Sequence, residues 1–150
     1  MTALAAYNNS DLNESFKVTS KDILKVKPYL ELIPGDEVKA LDIFNSMLIG
    51  SCNDAALALA NFTAQKTGSN FAHLMNSEAA RLGMGSTSFN NPMGFDNAGN
   101  YSTAEDLKLL ITATQKLSAF TALRRRSNYE FTGNLNNVYS VVSTNTLLKN

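Results

Sequence analysis

Ser51-Cys52-Asn53-Asp54-Ala55-Ala56-Leu57-Ala58-Leu59-Ala60 joins two helices of different character. Before it, Leu41, Phe44, Met47 and Leu48 recur at three- and four-residue steps, which predicts an amphipathic helix stopping at Gly50. After it, from Asp54 to about Thr67, apolar residues fall on nearly every side, so the second helix belongs in the middle of a domain, with Asn53 expected as its cap. Ser51 and Asn53 thus stand at a helix N-terminus. Unpaired backbone donors and the positive end of the helix dipole favour polar or anionic groups there. A serine in that place can pass a proton, and an asparagine can donate to a substrate carbonyl. Ser-x-Asn alone says little, because both residues are common helix caps.

Outward from this corner the chain reads mostly as helix. Met1 to Tyr7 has helical propensity but under two turns and no capping residue ahead of it. It fits either the end of a longer helix or a frayed N-terminus. Ser20 is placed to cap a short turn over Lys21 to Val26, before Pro28 and the Ile33-Pro34-Gly35-Asp36 turn. A third helix, Asn70 to Leu82, carries Phe71, Leu74, Met75, Ala79 and Leu82 on one stripe, stops at Gly83, and leaves His73 off the stripe, solvated or loosely packed. Residues 84 to 101 show no period and predict a long irregular loop of the kind that carries function. The loop ends at Ser102-Thr103-Ala104-Glu105, read as a capping box with Ser102 as the cap. Leu107, Leu110, Ile111, Thr114 and Leu117 then mark the expected buried face of a fourth long helix, and Ser118 to Leu123 a short fifth. Asn128 to Thr132 and Val138 to Ser143 read as a hairpin about the Gly133 to Asn137 turn. Helices followed by so little sheet predict further strands beyond Asn150.

Composition narrows the function. In 150 residues, 13 Lys+Arg balance 13 Asp+Glu and hydrophobic residues make up 44%, which fits one globular domain. Charge balance, with Arg124-Arg125-Arg126 as the only dense basic run, predicts no nucleic-acid partner. One cysteine and one histidine exclude an internal disulfide and predict no metal and no cofactor. No apolar stretch approaches the roughly 18 residues of a membrane helix, and no export signal opens the chain. Cys52 is expected to turn away from the cleft and pack as a small apolar group.

The Ser51 to Ala60 segment closely resembles the second motif of the serine D-alanyl-D-alanine carboxypeptidases, the low-molecular-mass penicillin-binding proteins of peptidase family S11. Ile33-Pro34-Gly35-Asp36-Glu37-Val38 resembles that family's approach to the motif. Phe89-Asn90-Asn91-Pro92-Met93-Gly94-Phe95-Asp96 and Tyr101-Ser102-Thr103-Ala104-Glu105-Asp106-Leu107 resemble its loop and following helix, and Thr144-Asn145-Thr146-Leu147-Leu148 the approach to its third motif. The pieces cover essentially the whole chain and occur in order.

The resemblance implies an α+β, β-lactamase/penicillin-binding transpeptidase-like fold. Residues 1–150 would form one partial catalytic domain, mainly the helical part plus a short hairpin. It implies acyl transfer on peptidoglycan stem peptides ending in D-Ala-D-Ala, β-lactam binding by the full-length protein, and an extracytoplasmic location. Ser51 would take a catalytic part, relaying a proton to the leaving D-Ala, and Asn53 would bind substrate. The family also needs a Ser-x-x-Lys nucleophile pair and a strand-borne Lys-Thr-Gly, and neither occurs here in a matching position. Met1 to Leu4 would follow the Ser-x-x-Lys lysine directly, so the chain is expected to be truncated and inactive alone. Lys66-Thr67-Gly68 lies at a helix end, where lysine and then glycine are ordinary stop chemistry. A non-catalytic relative that binds wall peptides or a partner through the same cleft, and a class A β-lactamase-like hydrolase, are the alternative readings.

Overall fold

The computed structural model describes residues 1–123 and 125–148; Arg124 of the basic run and Lys149-Asn150 lie outside them. The helix predicted to be interior is interior. It spans Asn53–Thr67 and buries nine residues from Asn53 to Thr63, among them Ala55, Ala58 and Leu59 with no exposed surface. With the helices Thr2–Asn9 (α1), Ala40–Gly50 (α2) and Phe71–Arg81 (α4) beside it, it is α3, and all three pack on it. Small side chains permit the close approach: Ala3, Ala5 and Ala6 of α1 and Ala55, Ala56, Ala58 and Ala60 of α3 are all buried in one core with Ile43 and Phe44 of α2 and Met75 of α4.

Two antiparallel pairs flank the helices. Ser15–Lys17 (β1) pairs with Glu37–Lys39 (β2) through Phe16 opposite Val38. The expected hairpin forms between Asn128–Thr132 (β3) and Val138–Val142 (β4), and turns Phe131, Tyr139 and Val141 inward onto α2. The β1/β2 pair is not visible in the sequence, since three-residue strands carry too little alternation to register. The turn before β2 supplies the buried Asp36 carboxylate. Its oxygens accept from the backbone N–H of Glu37 (3.0 Å) and Leu135 (2.9 Å), from Asn137 Nδ2 (3.0 Å) and from the Tyr139 hydroxyl (2.8 Å). The hairpin is thereby fastened to β2.

Several local expectations need correction. The turn after Ser20 is a 3-10 helix over Ser20–Asp22 capped by Thr19. It does not continue to Val26: the Asp22 carboxylate closes a capping box with Thr19 at its start, and Ile23 is already extended (φ −85°, ψ 119°). The helix Ala104–Thr114 (α5) is capped by Thr103, whose hydroxyl accepts from the Asp106 N–H at 3.2 Å, and not by Ser102, whose hydroxyl pairs with that of Thr87. Its predicted buried face is largely open: Leu107 is 43% and Ile111 54% exposed, and Asp106 is the one buried residue of the helix. Periodicity told which residues share a face but not whether another element covers it. The short helix Ser118–Thr121 (α6) follows, two residues shorter than expected. Lys66 to Gly68 ends α3 as anticipated, with Gly68 in the left-handed conformation and Lys66 paired to Glu14.

Candidate active site

Ser51 and Asn53 line one cavity of about 520 Å³. Its walls come from the start of α1 (Met1 to Ala3), α2 (Met47), the corner itself and the 84–101 loop, which contributes Phe89, Met93 and Tyr101. Ser51 ends α2 in the left-handed conformation (φ 55°, ψ 33°), a position more usual for glycine. It is exposed, and its Oγ lies 3.3 Å from Thr144 Oγ1, either hydroxyl being able to donate. Thr144 is brought there by its own N–H, which donates to the Ile49 carbonyl at 3.2 Å. Gly50 allows the approach: a Cβ there would stand 2.9 Å from both Val141 Cβ and Cys52 Sγ.

Asn53 does not cap α3. The cap position is held by Cys52, and Asn53 is the first helical residue, 8% exposed. Its Nδ2 donates to the Val26 carbonyl at 2.9 Å and its backbone N–H to the Pro28 carbonyl at 2.8 Å. Among the described residues its Oδ1 accepts no hydrogen bond. The helix N-terminus is not open to a ligand in the way its position suggested, because Asp54 fills it from within. That carboxylate, 2% exposed, accepts from the N–H of Ala55 (2.8 Å), Leu30 (2.8 Å) and Leu32 (3.2 Å). Burial holds the Asp54 carboxyl above the usual carboxylate range, although the three N–H groups pull the other way.

Cys52 also borders the cavity, but its side chain is 2% exposed, and burial, aided by the nearby Asp54 charge, pushes the thiol up to about 12. It packs as expected, but it borders the cavity from which it was expected to turn away. His73 is exposed, also as expected. Among the described residues no cluster of three His, Cys, Asp or Glu could hold a metal ion.

The sequence marked the 84–101 loop for function without saying what fixes it. Asparagine carboxamides do so. Asn76 of α4 pairs with both backbone groups of Phe89 at 2.8 Å. Asn91 accepts from the N–H of Gly94 (2.8 Å) and Phe95 (2.9 Å), and Asn100 donates to the Phe95 carbonyl at 2.7 Å. Thr2 of α1 reaches the Pro92 carbonyl at 2.7 Å, and a bridge between Ser88 and Tyr101 closes the base. Thr144 and Asp54 are the neighbours of Ser51 and Asn53 that sequence reasoning missed. Asp54 carried no signal beyond following Asn53; Thr144 lay in a segment singled out only by resemblance.

The family model described as D-alanyl-D-alanine carboxypeptidase, peptidase S11, matches residues 1–150. Among curated proteins, the chain is 31% identical over 118 residues to the D-alanyl-D-alanine carboxypeptidase DacF of Bacillus subtilis, covering 79% of this chain and 30% of that protein. It is 30% identical over 164 residues to the D-alanyl-D-alanine carboxypeptidase of Streptomyces sp. K15, covering 99% and 56%. Among solved structures, the D-alanyl-D-alanine carboxypeptidase of Mycobacterium tuberculosis H37Rv superposes with a TM-score of 0.83 at 28% identity, covering 99% of this chain and 56% of that one. The Streptomyces K15 DD-transpeptidase gives 0.84 at 25%, covering 98% and 62%. The fold is therefore that of the penicillin-binding DD-peptidases, and the chain spans no more than about half the length of these two curated relatives. With the family model matching from end to end, the chain belongs to peptidase family S11, the D-alanyl-D-alanine carboxypeptidases.

Proposed function

We propose that residues 1–150 form part of the catalytic domain of a serine D-Ala-D-Ala carboxypeptidase and furnish the Ser51/Asn53 wall of its active site. The substrate is a peptidoglycan stem peptide ending in D-Ala-D-Ala, met outside the cytoplasm, and β-lactams occupy the same cleft in the full-length protein. The observation that carries the reading is that one cavity gathers an exposed serine hydroxyl and an asparagine carboxamide anchored on one side only.

The chemistry follows from that arrangement. A serine hydroxyl in contact with a second hydroxyl, Thr144, can accept a proton and pass one on, as departure of the D-Ala amine requires. The Asn53 carboxamide, held through Nδ2, keeps its Oδ1 for an N–H of the substrate or an ammonium group. Attack on the peptide carbonyl needs an activated nucleophile, and no Ser-x-x-Lys occurs within the 150 residues. The isolated polypeptide is accordingly expected to bind D-Ala-D-Ala peptides without turning them over.

Incubation with a fluorescent penicillin followed by denaturing electrophoresis is expected to show no labelled band, and a band would overturn the claim that the nucleophile lies outside this chain. NMR titration with an N-acylated tripeptide ending in D-Ala-D-Ala is expected to shift the Ser51 and Asn53 signals, with the L-Ala-L-Ala peptide as control. Equal response to both peptides, or to neither, would refute the substrate class.

A further inference from the structure

The segment between the 3-10 helix and β2 runs past the first turn of α3 without regular structure, and four hydrogen bonds tie it there. Two leave from Asn53, its N–H to the Pro28 carbonyl and its Nδ2 to the Val26 carbonyl. Two arrive at Asp54, from the N–H groups of Leu30 and Leu32. The carbonyl that orients the Asn53 side chain thus belongs to a strap whose other end is held by the residue next in sequence. Of the two residues that alternate with the bound ones, Tyr29 is half-buried and Glu31 is exposed, and Glu31 takes a left-handed backbone conformation (φ 64°). The N–H groups of Leu30 and Leu32 both reach the one carboxylate.

We propose that Asp54 is a positioning residue of the active site: by clamping Leu30 and Leu32 it fixes the Val26 carbonyl, and through it the orientation of the Asn53 carboxamide in the cleft. Asp54 touches no substrate and reaches the chemistry only through Asn53, so this inference rests on the functional reading above. The carboxylate is the required group. It offers an oxygen to each strap N–H, Oδ1 to Leu30 and Oδ2 to Leu32. An asparagine in its place has one acceptor oxygen, and its NH2 would confront one of the two donors. A purely helix-stabilising role, acceptance from the Ala55 N–H at the positive end of α3, would survive with that single oxygen.

Hydrogen exchange on the unsubstituted chain tests the clamp directly. The Leu30 and Leu32 amides are expected to exchange at least about 100-fold more slowly than the amide of exposed Glu31 between them. Equal rates would overturn the proposal without any variant. In Asp54→Asn, protection of Leu32 and of the Asn53 side-chain amide protons should be lost. The dissociation constant for the D-Ala-D-Ala tripeptide should rise about tenfold, equivalent to roughly 1.4 kcal/mol. A core substitution of matched thermal loss on α4, Phe71→Leu, should leave both readouts unchanged. If Asp54→Asn and Phe71→Leu move the Asn53 signals and the affinity equally, Asp54 acts on stability alone and the proposal fails. If the unsubstituted chain binds no tripeptide, the functional reading fails, while the ligand-free Asn53 signals still decide whether the clamp exists.

Discussion

Replacing Asp36 should loosen the hairpin from the helices, and the size of the effect can be worked from its four partners. The carboxylate has no exposed surface, so nothing replaces it when it is removed. In Asp36→Ala the Glu37 N–H keeps a second acceptor, Asn134 Oδ1 at 2.7 Å, but the hydroxyl of buried Tyr139 and the Leu135 N–H lose theirs. Bonds to a charged acceptor, with at least one donor left dry, place the cost at about 3–5 kcal/mol. For a chain of this length that is a fall in Tm of roughly 8–16 °C. Asp36→Asn is milder, about 1–3 kcal/mol, because the Tyr139 hydroxyl can rotate to accept while Asn137 Nδ2 cannot.

The pH dependence separates this account from simple loss of packing. Burial alone would raise the Asp36 carboxyl, but the donors from Leu135, Asn137, Tyr139 and Glu37 overrule it and hold it below its usual value. A carboxylate depressed in the folded state contributes its stability above its unfolded pKa of about 3.9 and loses it as pH falls through the folded value. Thermal melts followed by the near-ultraviolet dichroism of the tyrosines, from pH 7 to pH 3, should show the gap between the natural chain and Asp36→Asn closing below about pH 4. A gap under about 0.5 kcal/mol at pH 7, or one unchanged down to pH 3, refutes the reasoning.

Gly50→Ala should cost about 1–3 kcal/mol, since its Cβ would meet Val141 and Cys52 at 2.9 Å; proton-detected NMR should show Ser51 and Thr144 displaced together, and an unperturbed Thr144 would disprove the coupling. Ser51→Gly relieves a left-handed serine but frees the unfolded chain by a similar amount, so stability should stay within about 1 kcal/mol while D-Ala-D-Ala peptide binding weakens. Cys52 should resist iodoacetamide at pH 8 in the folded chain and react promptly in guanidinium, because its thiol is pushed up to about 12; rapid labelling of the folded chain would contradict its burial. Tyr139 is raised to about 12 by burial, with the Asp36 contact adding, so its contribution is intact below about pH 10 and lost as pH rises toward 12. Absorbance titration should find Tyr139 ionising only as the alkaline melt begins.

What the sequence revealed and what it concealed divide along a physical line. Helix α3 was legible because its burial is written locally: Ala55, Ala56, Leu57, Ala58, Leu59 and Ala60 leave no polar face to turn outward. The β3/β4 hairpin was legible because five-residue strands on either side of a glycine- and asparagine-bearing turn carry enough alternation to be counted. Ser51 and Asn53 were singled out only through resemblance, since both residues cap helices everywhere; what the structure adds is that they line one cavity. The face of α5 misled for the complementary reason. Leu107 and Ile111 repeat at helical spacing, yet covering them depends on another element that no local period encodes.

Three of the four buried aspartates among the described residues mark the limit most sharply, Asp22 being the one whose backbone donor, Thr19, is local. Asp36, Asp54 and Asp106 each accept from backbone N–H groups of a segment distant in sequence: Leu135 for the first, Leu30 and Leu32 for the second, Ser86 at 2.8 Å for the third. Those segments are turns and loops, whose N–H groups have no helix or strand to satisfy them and must find an acceptor or remain wet. A charge on the rim of a regular element meets that need, and placing it there fixes the loop. Composition reads such residues as surface charge, because their purpose exists only once the chain has brought the loop alongside. In this chain two of the three stand within three residues of a cap, Asp54 after Cys52 and Asp106 after Thr103. The first turn of a helix, where an acid is already favoured by the dipole, is where an internal staple adds least strain. An acidic residue just inside a helix start and beside a long irregular segment is therefore worth reading as a loop anchor first and as a solvated charge second. On that reading Asp54 is the residue that lets a strap of irregular chain hold Asn53 in place.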